Sequence, residues 1–151
     1  MGAMKMADAR SEASFPLGKD VADGEHLFRG IPDAPSFVKN DGTITSAALK
    51  DSRGGVSVDR DGGRPDDATM QFFCDMQKRL GKSVRYAKFL KMSAATVRRN
   101  ECDVHAVPLA ANPYHAEITQ NGSGVLKRRT AKDIVAQSVV LDNPLYRRSS
   151  S

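Results

Sequence analysis

Apolar and polar positions alternate in short runs along most of this chain, and helical spacing takes over in only a few stretches. Leu27, Phe28 and Ile31 form a run halted by Pro32 and Pro35, which cannot donate to a ladder, so a short strand is expected over 27–31. Phe37-Val38-Lys39 and Thr43-Ile44 flank Asn40-Asp41-Gly42, whose glycine can take positive φ, and a β-hairpin follows. The run 55–59 alternates cleanly, sending Val56 and Val58 to a core and Ser57 and Asp59 to the other face.

Helical spacing starts at Pro65. The fixed φ of proline and the acidic groups of Asp66 and Asp67 suit a first turn, Met70, Phe73 and Leu80 follow on one face, and Gly81 supplies the stop. Residues 83–89 alternate weakly as a strand, and Ser93 can cap a short helix carrying Ala94, Ala95 and Val97. A last helix is expected to start at Thr130, with Ala131, Ile134, Val135 and Val139 as its apolar face. Short strands and hairpins interrupted by two or three helices predict a compact α+β domain. It is placed at 25–142, between an N-terminal tail (1–24) and a flexible C-terminal tail (143–151).

The segment 101–119 reads as strand, turn, strand. Side chains alternate along a strand, so His115, Glu117 and Thr119 share a polar face while Ala116 and Ile118 enter the core. Asn112-Pro113 stiffens the approach. An imidazole beside a carboxylate on a fixed strand suits proton transfer, which makes His115 and Glu117 the candidate catalytic pair. His105 would point the same way as Val107 and is expected to be structural. The spacing between His105 and His115 is no ligand signature, so no metal site is expected.

Composition narrows the class. At 151 residues and 40% hydrophobic content, one core is expected. No apolar run approaches the ~20 residues of a membrane-spanning helix. With no secretory h-region either, a soluble, cytoplasmic protein is expected. Cys74 and Cys102 are too few and too far apart for a disulfide framework or a metal knuckle and read as core thiols.

The net charge of +5 is unevenly spread: between Asp75 and Glu101 every charged residue is basic. Lys82, Arg85, Tyr86 and Lys88 lie at the middle of that stripe, where cations interleaved with an aromatic ring suit nucleic acid. Glycine lets a ligand approach the backbone and arginine grips phosphate with two parallel bonds. Arg53, Arg60 and Arg64, set among Gly54, Gly55, Gly62 and Gly63, therefore join Arg29 as candidate phosphate ligands. The expectation is a protein acting on or binding a nucleotide or nucleic acid, with His115 and Glu117 facing this frame. The alternative is a non-catalytic module whose basic stripe holds nucleic acid or an acidic protein.

The order Arg29 on an early strand, Ser46 or Ser57 on a middle one and Glu117 on a late one resembles the Arg-Ser-Glu order of ADP-ribosyltransferases. The resemblance implies that Arg29 grips the phosphates of a nicotinamide dinucleotide, that the serine supports the strand, and that Glu117 holds the nicotinamide ribose. His115 stands where that family carries Glu or Gln. The run of LFRGIP, TSAALKD, GVSVDR and NPYHAEI, over about residues 26 to 140, is also similar to small prokaryotic single-domain proteins and implies one compact domain.

Overall fold

The computed structural model describes residues 17–51, 54–82 and 85–146. In chain order these form β1 (His26–Pro32), a 3-10 turn (Ser46–Leu49), β2 (Val56–Arg60), α1 (Asp66–Arg79), β3 (Tyr86–Ser93) and α2 (Ala94–Arg99). There follow β4 (Asp103–Ala106), β5 (His115–Thr119), α3 (Arg128–Ala136) and β6 (Val139–Asp142). The strands make a single antiparallel sheet of order β4-β5-β2-β1-β3-β6, so the architecture is α+β as its sequence pattern predicts.

The sheet is packed on both faces. Leu27 and Ile31, Val56 and Val58, and Ile118 meet α2 and α3 on one face through Val97 and Ile134. On the other, Phe28 and Phe89 pack against Met70 and Cys74 of α1. Cys102 is buried in the first core. α1 starts with Asp66 and Asp67, ends on Lys78 and Arg79, and stops at Gly81, whose φ of 74° is the left-handed conformation glycine accepts most readily. Ser93 caps α2, its hydroxyl accepting from the Thr96 amide at 3.0 Å.

Several local expectations shift. The hairpin around Gly42 is reduced to one bridge, Val38 with Ile44. α3 starts at Arg128, because Thr130 turns its hydroxyl to Gln120 Nε2 at 3.1 Å and caps nothing. It ends at Ala136. Val139, read as helical, belongs to β6 opposite Lys91, where the β-branched pair Val139-Val140 suits a strand. His105 is exposed on the polar face opposite Glu117, not set among apolar groups; Val104 and Ala106 are the residues of β4 that pack on the core. Packing extends on both sides of 25–142: Val21 is buried in the core, and buried Asn143 donates to the Tyr86 carbonyl at 2.7 Å. Among the described residues no helix is long and apolar enough to cross a membrane.

One irregularity positions the site. β1 pairs with β3 along its length but with β2 only at Leu27 and Phe28, opposite Arg60 and Asp59. Beyond Phe28 the two middle strands part.

Candidate functional site

A cleft of about 440 Å³ opens where β1 and β2 separate, within the size range of small-molecule sites. Arg29 fills the gap between the strands. Its Nε donates to the Ala48 carbonyl at 3.0 Å, Nη1 to the Ser57 carbonyl at 2.9 Å and Nη2 to the Lys50 carbonyl at 3.4 Å. Burial pulls its pKa below the ordinary arginine value, while Asp51 acts in the other direction. The backbone bonds hold the guanidinium in the cleft lining and engage three of its five donors.

On β2 and β5, Ser57 lies opposite Glu117 and Asp59 opposite His115, so these side chains share one face. His115 Nδ1 is 2.9 Å from the Val107 carbonyl and Nε2 is 3.3 Å from Ser57 Oγ. A carbonyl only accepts, so Nδ1 must carry the proton. In the neutral ring Nε2 is then a lone pair aimed at the Ser57 hydroxyl, the orientation a general base needs. Ser57, Asp59, Asn112 and His115 all line the cleft.

Asp59 is the most unusual group there. Asn112 Nδ2 donates to its Oδ1 at 3.0 Å, and its Oδ2 is buried with no hydrogen-bond partner among the described residues. Burial pushes its carboxyl up to about 6, against the opposing pull of Asn112, His115 and Arg64.

The other candidates scatter. Glu117 is on the same face as His115 but outside the cleft lining, its side chain lying over Gly55, where an added Cβ would be 2.6 Å from Glu117 Cβ. Arg60 points to the opposite face and is occupied by Glu25 (Nε–Oε1 2.8 Å, Nη2–Oε2 2.8 Å) and by the Gly18 and Asp20 carbonyls. Arg64 is buried with its guanidinium 3.7 Å from the Tyr114 ring centroid, donating to the carbonyls of Asp61 and Arg60. Arg53 lies outside the described residues.

The basic stripe is divided between faces and partners. Lys82 and Tyr86 line the cleft, Arg85 is exposed, and Lys88 pairs with Asp142 at 2.7 Å. Lys91 and Arg98 are likewise held by Asp66 and Asp23. Among the described residues no group of three or more His, Cys, Asp and Glu side chains is placed to hold a metal ion.

Asp59 and Asn112 are cleft residues not named from sequence as site residues, and Ser57 is named only through the Arg-Ser-Glu resemblance. Their signal was present: Ser57 and Asp59 occupy the polar positions of an alternating strand. What alternation cannot show is that this polar face is closed over at Asp59. No family model matches the chain, and no curated protein or solved structure is significantly similar to it.

Proposed function

We propose that the protein is an enzyme acting on a nucleotide bound in the cleft between β1 and β2. The observation that carries this reading is the convergence of a tautomer-fixed His115, the Ser57 hydroxyl and the half-buried Arg29 guanidinium on one cleft of about 440 Å³. In this reading the free donors of Arg29, with Lys82 at the rim, take the phosphates. The Tyr86 and Phe73 rings, 5.3 Å apart and both in the lining, offer apolar surface to a base. His115 Nε2 draws a proton from Ser57 or from a substrate hydroxyl in its place.

Within nucleotides, a nicotinamide dinucleotide is the substrate to test first. Arg29, Ser57 and Glu117 stand on three neighbouring strands, with Arg29 bonded to the Ser57 carbonyl and Glu117 directly across from Ser57. Within the Arg-Ser-Glu resemblance that neighbourhood favours Ser57, which lines the cleft, over Ser46, which starts the 3-10 turn outside it; Glu117 is across from Ser57 and outside the lining.

Calorimetric titration with NAD, its mononucleotide halves and free nicotinamide, together with chromatography for released nicotinamide, tests the proposal. Binding that weakens in Arg29→Lys and turnover lost in His115→Ala at unchanged melting temperature are expected. If no nucleotide binds at millimolar concentration and low salt, the proposal fails. Nucleotide binding without nicotinamide release would retain the cleft and discard the dinucleotide.

A further inference from the structure

A second feature, independent of the cleft, runs between the 36–50 segment and α3. Two adjoining hollows of about 440 and 400 Å³ share Thr45, Ser46 and Arg128, and together form one furrow from Val140 of β6 to Val125. Ile44, Val135 and Val140 floor one half, and Val125, Leu126 and Ala131 the other. The two ends are wet: Val125 is 48% exposed and Val140 41%, with neighbouring Val139 at 55%. Open aliphatic side chains joined by one groove are a surface that a partner's apolar groups can cover.

Charge defines the occupant. Lys39, Lys50, Arg128 and Lys132 line the furrow, and no acidic residue among the described residues does. The carboxylate of α3, Asp133, is not in the furrow lining; it lies with Arg129 in an adjoining hollow that shares Arg128 and Lys132 with the furrow, so the cations outnumber it there. Unlike the stripe residues Lys88, Lys91 and Arg98, these four cations enter none of the ion pairs found among the described residues. The floor then separates two classes of polyanion. Single-stranded nucleic acid binds by stacking bases on aromatic rings, and this floor has none. An aliphatic floor between cationic walls fits a peptide that alternates apolar and acidic side chains.

We propose that this furrow docks a short acidic segment of a partner protein, its apolar side chains seated on Val135, Val140 and Val125 and its carboxylates meeting Lys39, Lys50, Arg128 and Lys132. Thr45 and Ser46 lie at the junction of the two halves; the Thr45 hydroxyl donates to the Ser36 carbonyl at 2.6 Å and so can only accept, from a backbone amide of the bound segment, while the Ser46 hydroxyl can donate to a carboxylate.

Fluorescence anisotropy of a labelled peptide of three Glu-Glu-Leu repeats, titrated with the full chain, tests this. Saturable binding is expected, weakening as salt rises. An equally long polyglutamate should bind about tenfold more weakly, because it lacks the apolar contacts. Arg128→Glu combined with Lys132→Glu should abolish binding, and Val140→Ser should weaken it about threefold to tenfold. All three positions are exposed at least in part, and circular dichroism would verify that the fold survives. Polyglutamate or a single-stranded RNA binding as tightly as the Glu-Glu-Leu peptide would overturn the proposal by reducing the furrow to a general anion patch. So would no binding at low salt, or binding indifferent to the charge reversal.

Discussion

Asp59 and His115 face each other across β2 and β5 as direct cross-strand partners, and the carboxylate of this pair keeps one oxygen buried with no hydrogen-bond partner among the described residues. Directly opposed residues hold their Cβ atoms about 5 Å apart, close enough for each to feel the other's charge. An unsatisfied buried oxygen is destabilising by about 1–3 kcal/mol, and this one lies beside an imidazole fixed by its bond to the Val107 carbonyl.

The pH dependence of stability should carry the Asp59 signature. Its folded-state value, pushed up to about 6, lies above the ordinary 3.8, so its contribution is fully present below pH 3.8 and is lost as pH rises through 6. The full swing is about 3 kcal/mol at most. Glu25 runs the other way: burial raises it, but the bonds from Arg60 and the Ala22 amide outweigh burial and leave it below its ordinary value, so its contribution is lost as pH falls. Asp59→Asn keeps an acceptor for Asn112 and removes the charge. Compared by urea unfolding, the wild-type chain should gain on Asp59→Asn as pH falls from 8 to 5; a difference that stays constant across that range would show the carboxyl ionises without cost.

Arg29 bridges β1 and β2 where their pairing ends. Its bond to the Ser57 carbonyl spans the gap beyond Phe28, and its bonds to the Ala48 and Lys50 carbonyls tie in the end of the 3-10 turn. Arg29→Ala leaves these carbonyls without their donor and should lower stability by about 2–4 kcal/mol. Arg29→Lys should recover only part, since an ammonium is a point charge without the planar fork that reaches three acceptors. Equal denaturant midpoints for the lysine variant and the wild type would mean that charge alone matters here.

How far this was legible follows from what alternation and spacing can carry. The polar face of β5 and the start and stop of α1 are readable because each rests on local chemistry: Pro65, Asp66 and Asp67 at one end, Gly81 at the other, and a strict period of two over 115–119. The site itself depends on register. Nothing local to Val56–Arg60 states that Asp59 meets His115, nor that β1 leaves β2 after Phe28, and both follow from strands far apart in sequence. The glycine-arginine frame misdirected for a related reason. Arg60 falls on the core side of its strand, where Glu25 claims it, and Arg64 folds back onto Tyr114. Thr130 and Val139 show propensity overridden by tertiary contacts, a side-chain bond to Gln120 in one case and pairing with Lys91 in the other.

Arg60 should prove structural. Its side chain is 3% exposed and Glu25's 16%, with the guanidinium closing over the 18–25 segment. Removing one member of a buried pair leaves the other charge uncompensated, so Arg60→Met should destabilise by about 3–5 kcal/mol. Adding Glu25→Gln to it should restore part of that loss, giving a positive coupling in a double-mutant cycle. Nucleotide affinity of the folded fraction should be unchanged. A selective loss of affinity at preserved stability would instead return Arg60 to the phosphate ligands.

Gly30 is the position where β1 admits the ring that walls the cleft. A Cβ there would lie 2.8 Å from Tyr86 Cγ and 2.9 Å from Cδ1, closer than carbon atoms pack, and Tyr86 is itself wedged edge-on against Phe73 at 5.3 Å. The ring cannot retreat without disturbing the α1 face, so Gly30→Ala should cost about 1–3 kcal/mol. Glycine inside a strand is otherwise worse than alanine by about 0.5–1 kcal/mol, and this sets up an inversion. In a Tyr86→Ala background the obstacle is gone, and the same Gly30→Ala change should become neutral or stabilising. Thermal unfolding of the four proteins of this cycle measures it. An unchanged penalty in the Tyr86→Ala background would place the constraint in the backbone of β1 and leave the ring free to move when a ligand enters.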